Sequence, residues 1–197
     1  MENLMLREAT EEDAPIISKL VYETENTPEH EWGYGTKEEI LKRIEVLVKS
    51  KHSRYYYKYI RIAEMDGKVC GAIILLKGED ILKLELNTDI KILFLLKSVK
   101  NKIRYLIDTI LEASLDECKD GELYIANLAT LKELRGRGIG KKLIELADKI
   151  AKDENYKKCS LLAKDKELTL YYSKFNYRIE KEERCFNSSL YRMVKVI

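Results

Sequence analysis

The chain has 197 residues, 45% of them hydrophobic, and its 36 basic and 34 acidic side chains leave a net charge of only +2. That is enough apolar material for one packed core, while the balanced charge gives no basic field and excludes nucleic acid as the main partner. Apolar runs of a few residues fall far below a membrane span, and four dispersed cysteines (Cys70, Cys118, Cys159, Cys185) without a C-x-x-C or a histidine cluster give little support to a disulfide framework or a metal centre.

The acidic beginning is unsuited to a secretory leader, so a soluble protein in the reducing cytoplasm is expected. Leu4 to Ala9 predicts a first strand. Thr10 and Asp13 have capping spacing, and Ile16, Ile17, Leu20 and Val21 then share one helical face. Thr24 to Gly35 reads as an irregular loop, followed by a stronger capping box at Thr36 and Glu39. Behind it runs an apolar stripe of Ile40, Leu41, Ile44, Leu47 and Val48. Asp66 and Gly67, between Tyr59–Met65 and Lys68–Leu76, predict a hairpin.

Gly78 to Gly121 follows as an insertion, at about 79–120. Ile103, Leu106, Ile107, Ile110, Leu111 and Leu115 mark an amphipathic helix in it, and Ile90 to Leu96 is too apolar for a bare loop. Structureless insertions of this length are uncommon in compact domains and tend to be lids or binding elements. A helical insertion that thickens the core or makes a dimer contact fits the pattern equally. Tyr124 to Thr130 then predicts a strand, and Ile139, Leu143, Leu146, Ala147 and Ile150 the inward face of a helix. Lys158 to Ala163 is a further strand, and a short helix runs through Tyr172. Arg178–Phe186 and Leu190–Ile197 close the chain as two strands around Asn187, Ser188 and Ser189.

Between the strand at 124–130 and the helix behind it stand Arg135, Gly136, Arg137, Gly138, Ile139 and Gly140, running into Lys141 and Lys142. Alternate glycines let the backbone approach a ligand closely and turn successive N–H groups inward. A helix opening directly behind them adds unpaired amides and a partial positive charge. Together with four cations, this is the physics of a diphosphate cradle. Spacing decides which kind. The glycines fall as G-x-G-x-G, not the G-x-G-x-x-G of dinucleotide turns, and Arg135 and Lys142 stand where a P-loop needs glycine and a hydroxyl.

The pattern that fits is R-x-x-G-x-G at Arg135, Gly138 and Gly140, preceded by Leu128, Ala129 and Thr130. It closely resembles the coenzyme A signature of the GNAT superfamily of acyl-CoA-dependent N-acyltransferases. Asp165 to Arg178 resembles the superfamily's later motif, with Asp165, Leu168, Tyr172 and Lys174 at its Asn, small, Tyr and Lys positions. Asn176 replaces the usual glycine, which a left-handed helix end tolerates. The resemblance implies a mixed α/β (α+β) fold with a mostly antiparallel central sheet flanked by helices. The whole chain, 1–197, would be one N-acetyltransferase domain with the insertion between its third and fourth strands.

The same resemblance implies transfer of an acetyl group from acetyl-CoA to a primary amine of a small molecule or peptide, without metal, in a monomer or homodimer. A CoA-binding regulatory or scaffold domain that has lost turnover is the alternative. Leu128, Ala129, Thr130, Arg135, Gly136, Arg137, Gly138, Ile139, Gly140, Lys141, Asp165, Leu168, Tyr171 and Lys174 are the expected cofactor-binding residues. Tyr172 would stabilise the leaving thiolate, with Tyr171 next to it as the other choice of register. With only His30 and His52 in the chain, no Ser-His-Asp set is expected. Carboxylates often serve as base on the superfamily's cradle strand. That position is Tyr124 here, with Glu122 two residues earlier on the same strand face and Asn127 able to hold a water. Trp32 and Tyr34, in a loop rich in glutamate, are the expected substrate-binding aromatics.

Overall fold

The computed structural model describes residues 4–112, 115–185 and 188–197. Seven strands form one sheet in the order β1 (Leu4–Glu8), β2 (Ile60–Met65), β3 (Lys68–Lys77), β4 (Glu122–Thr130), β5 (Lys158–Ala163), β7 (Ser188–Val196) and β6 (Arg178–Cys185). Every pairing is antiparallel except β4 with β5, whose connection crosses over through a helix. The helices are α1 (Ala14–Tyr22), α2 (Pro28–Trp32), α3 (Lys37–Lys49), α4 (Ile81–Leu95), α5 (Val99–Glu112), α6 (Ile139–Asp153) and α7 (Lys166–Ser173). Among the described residues no helix is long and apolar enough to cross a membrane.

The apolar run of β3 is explained by burial on both faces. Ala72, Ile74 and Leu76 point into a core shared with α1, α3 and α4, while Ile73 and Leu75 point into a second core under α6 and α7. The hairpin between β2 and β3 turns at Asp66 (φ 49°) and Gly67 (φ 75°), both left-handed as a tight primed turn requires. Thr36 caps α3, accepting from the Glu39 N–H at 3.3 Å while the Glu39 carboxylate accepts from the Thr36 N–H at 2.9 Å. Asn176 takes φ 69° just beyond α7, the left-handed stop anticipated for it.

α6 buries Ile139, Leu143, Ile144, Ala147 and Ala151 against the sheet. At about 1.5–3 kcal/mol for each fully buried large aliphatic side chain, this face anchors the helix by several kcal/mol and fixes where its N-terminus points. Leu146 and Ile150 are only partly buried, and Ile144 takes the inward place expected of Leu146.

Several segments differ from the sequence expectation, and Ser188 and Ser189, expected in the turn, open β7. The 24–35 loop contains α2, signalled by Pro28 at a first helical position. The insertion holds two helices, since the apolar residues around α4 (Leu82, Leu84, Leu86, Ile90, Ile92, Phe94) hide its period. α5 stops at Glu112, short of Leu115. The strand end at Phe186 and the turn residue Asn187 lie outside the described residues.

Candidate active site

The site begins where β4 and β5 separate. Their parallel pairing runs from Glu122 opposite Lys158 to Ile125 opposite Leu161 and goes no further. On its other side β4 pairs Ile74 with Asn127 and Leu75 with Ile125, which leaves Ala126 as an extra residue. Such a bulge bends the strand and sharpens its twist. From Ala126 to Thr130 the β5-facing edge of β4 therefore has no strand beside it. A cavity of about 570 Å³ opens there, lined by residues 125–130 of β4, by Leu161, Leu162 and Lys164, and by Leu20, Glu23 and Thr24 at the end of α1.

The glycine cradle forms one end of this cavity. Arg135, Gly136, Gly138, Ile139, Gly140 and Lys141 line it. Gly138 is the N-cap of α6 with φ 80°, a conformation that costs L-residues roughly 1–2 kcal/mol. The first helical bond runs from the Lys142 N–H to the Gly138 carbonyl at 3.0 Å, so the amides of the first turn remain free to face a ligand. A side chain at Gly140 would bring its Cβ to 2.6 Å from the Tyr171 hydroxyl, so α6 and α7 can meet here only over a glycine.

Leu168, Tyr171, Tyr172 and Phe175 bring α7 and the turn after it to the same cavity. Tyr172 is 8% exposed, its ring edge-on to Tyr171 at 5.2 Å and to Tyr177 at 6.1 Å. Burial holds its phenol well above the ordinary value, so it stays protonated and able to donate. Burial also raises the Tyr171 phenol.

Three residues close the cavity beneath α1. Asn127 donates from Nδ2 to the Thr24 hydroxyl at 3.0 Å, and its buried Oδ1 has no hydrogen-bond partner in the protein. Lys164 donates to the Thr24 carbonyl at 3.1 Å and pairs with the Glu25 carboxylate, whose proton affinity is raised by burial. Glu23, by contrast, is held below its ordinary value by the hydrogen bond from Lys132, which makes it a poor base. Thr24 and Lys164 carry no motif, and only the tertiary fold brings them together.

Other expected site residues stand elsewhere. Glu122 is 3% exposed and occupied: its carboxylate accepts from Arg192 and from the Lys119 N–H at 3.2 Å. It sits on the paired half of β4 as the counter-ion of Arg192, outside the cavity lining. Tyr124, 2% exposed, lies in the core beneath the insertion, where burial and nearby Glu117 hold its phenol well above the ordinary value. Asp165 caps α7, accepting from the Leu168 N–H at 2.7 Å. Arg137 and Lys174 are exposed and outside the cavity lining.

The two expected substrate aromatics are also outside it. Trp32 is fully buried between Tyr22 and Tyr55, and Arg43 binds its carbonyl. The Tyr34 hydroxyl donates to Asp108 of α5 at 2.7 Å under the guanidinium of Arg104. Tyr34 ties the turn after α2 to the insertion, while Trp32 packs α2 against Tyr22 at the end of α1 and against Tyr55. Among the described residues no group of three or more His, Cys, Asp and Glu side chains is arranged to hold a metal ion.

The family model described as the acetyltransferase (GNAT) family matches residues 19–177. An N-acetyltransferase from Staphylococcus aureus Mu50 is 26% identical, with a TM-score of 0.76 over 97% of this chain and 100% of that one. Two further structures share the fold at lower identity. One, titled as histone acetyltransferase HPA2 and related acetyltransferase from Corynebacterium glutamicum ATCC 13032, is 16% identical with a TM-score of 0.69, over 99% of this chain and 96% of that one. The other, a Drosophila melanogaster polyamine N acetyltransferase that forms N acetylagmatine, is 15% identical with a TM-score of 0.64, over 99% of this chain and 100% of that one. No curated protein sequence matches the chain. The chain belongs to the GNAT acetyltransferase family.

Proposed function

We propose that this member of the family is an N-acetyltransferase that moves an acetyl group from acetyl-CoA to a primary amine, both being bound together in the gap between β4 and β5. The observation that carries this reading is the convergence of a glycine-capped helix N-terminus and the protonated phenol of Tyr172 on one cavity. The residues present fit the cosubstrate. First-turn amides of α6, with Arg135 and Lys141, would hold its diphosphate. The unpaired edge of β4 at Leu128, Ala129 and Thr130 would pair with its amide-bearing arm as a further strand does.

When bound, acetyl-CoA supplies a thioester already activated for attack, so the protein needs no nucleophile of its own. What the chain contributes is position, a proton donor and a proton acceptor. Tyr172 donates a hydrogen bond to the departing sulfur. A phenol near pKa ~10 would give its proton to a thiolate near ~8.5 only at a cost of about 2 kcal/mol, so donation rather than full transfer is its role. Burial widens that gap.

Asn127 Oδ1, buried and lacking a protein partner, accepts from the incoming amine or from the water that takes its proton. Glu25, its carboxylate raised by burial, stands next along the chain from Thr24 as the onward acceptor. Deprotonating a lysine-like amine at neutral pH costs about 4–5 kcal/mol, against 1–1.5 for an α-amine near pKa ~8.

The test is thiol release from acetyl-CoA against a panel of small amines and peptides, with calorimetry for CoA binding. Tyr172→Phe should lower kcat by about 10²-fold and leave the acetyl-CoA KM near normal. CoA binding without thiol release toward any amine would overturn the enzymatic reading and leave a CoA-binding domain.

A further inference from the structure

The amphipathic pattern of α5 is turned inside out. Val99, Ile103, Leu106, Ile107 and Ile110 are 70%, 56%, 48%, 53% and 65% exposed. The face packed on the protein is polar instead: Tyr105 donates to Asp89 of α4 at 2.7 Å, and Asp108 accepts from Tyr34 at 2.7 Å. On α4 a stripe of Leu82, Leu86, Ile90 and Phe94 is likewise exposed, Phe94 to 80%. The inward face of α4 carries Ile81, Leu84, Thr88 and Ile92. Most of the exposed large hydrophobic side chains among the described residues belong to these two helices.

The size of this surface decides how it should be read. At those exposures the nine side chains present roughly 900 Å² of apolar surface, where the largest patch on a monomer is about 300–600 Å². A standard stable interface takes about 800 Å² from each partner.

Spacing and charge narrow the occupant. Val99, Ile103, Leu106 and Ile110 step by four, three and four residues, the spacing of a seam that interlocks with another helix. A fluid lipid surface requires no such register. Glu85, Asp89 and Asp108 point inward, where Glu85 pairs with Arg54 at 2.7 Å while Asp89 and Asp108 hold the two tyrosines. Lys100 and Lys102 occupy the first turn of α5. If two copies of α5 run antiparallel, the lysines of each lie beside the partly negative C-terminus of the other, which is the favourable arrangement. A two-fold axis makes one surface serve as both partners.

We propose that α4 and α5 form the interface of a homodimer, with α5 packed antiparallel on α5 of a second copy about an axis near Ile103 and Leu106. The inner, polar faces of both helices are then structural struts, and the insertion is a dimerisation element.

Sedimentation of the full chain at micromolar concentration should give twice its 23.1 kDa mass. Leu106→Glu combined with Ile110→Glu should raise the dimer dissociation constant at least about 100-fold, since desolvated charges at a central contact are strongly unfavourable. Both side chains are already exposed, so far-UV circular dichroism and melting should be preserved in the monomer. Independently, Ile103→Cys, close to the two-fold axis, should cross-link into covalent dimers on mild oxidation, and should not do so when combined with the double substitution. A wild-type monomer at all concentrations, or a dimer indifferent to the double substitution, would overturn the proposal. Flotation of a monomeric wild type with phosphatidylserine vesicles would also overturn it and assign the surface to lipid.

Discussion

Replacing Glu122 by Gln separates a structural carboxylate from a catalytic one. Arg192 on β7 has no solvent exposure and bridges two carboxylates, Glu122 on β4 and Glu180 on β6, reaching across β5. Removing one partner of a fully buried ion pair costs about 3–5 kcal/mol, because the remaining charge stays in a low-dielectric setting. The carboxamide keeps one acceptor for Arg192, and Glu180 keeps a counter-charge at a half-exposed position, so the lower end, about 3 kcal/mol, is expected. In a chain of this length each kcal/mol moves the melting temperature by about 2–4 °C, giving a drop of roughly 6–12 °C for Glu122→Gln. The assay pairs thermal denaturation at neutral pH with kcat for thiol release against pH, measured well below the melting range. The expected variant is less stable, turns over within about twofold of wild type and keeps the shape of its pH profile. A variant of normal stability whose kcat falls by about 10²-fold, with the acidic limb of the profile gone, would refute this reasoning and restore Glu122 as the base.

Trp32→Ala empties a fully buried indole site and should cost about 3–5 kcal/mol, read as a lowered denaturation midpoint, with the KM of the amine unchanged in the folded fraction. A raised amine KM at full stability would show instead that Trp32 lines a pocket. Asp13 accepts two hydrogen bonds from Arg7 at 2.8 Å, and these hold its carboxyl at about 2. A depressed carboxylate stabilises the fold above its unfolded value and loses that contribution as pH falls through the folded one. Asp13→Asn should therefore cost about 1–2 kcal/mol at neutral pH, reduced for the partial exposure of Arg7, and almost nothing near pH 2. Urea titrations showing the same deficit at both pH values would contradict the pairing.

Local chemistry made much of this protein legible in its sequence. The hairpin turn at Asp66 and Gly67, the capping box at Thr36 and Glu39 and the left-handed stop at Asn176 depend on backbone rules that act within a few residues. The glycine cradle was equally visible, because the φ 80° of Gly138 at the helix start is a backbone demand that glycine meets locally, whereas the fit of Gly140 under the Tyr171 hydroxyl is a contact between α6 and α7 that only the fold supplies. The register of α7 follows from Asp165 as its cap, which puts Tyr171 and Tyr172 together on the cavity.

What the tertiary structure alone decided involves partners far apart in the chain. Glu122 looked like a base because nothing nearby in sequence neutralises it, while Arg192 meets it from β7, two strands away in the sheet. Trp32 looked like a pocket aromatic because loop composition does not reveal that Tyr22 and Tyr55 close over it. Asn127, Thr24 and Lys164 meet only because a bulge at Ala126 splits β4 from β5 beneath the end of α1. The outward stripe of α5 was visible as a period but not as a direction. Which face a helix buries is set by what packs against it, and Tyr34 and Asp89 hold its polar side inward.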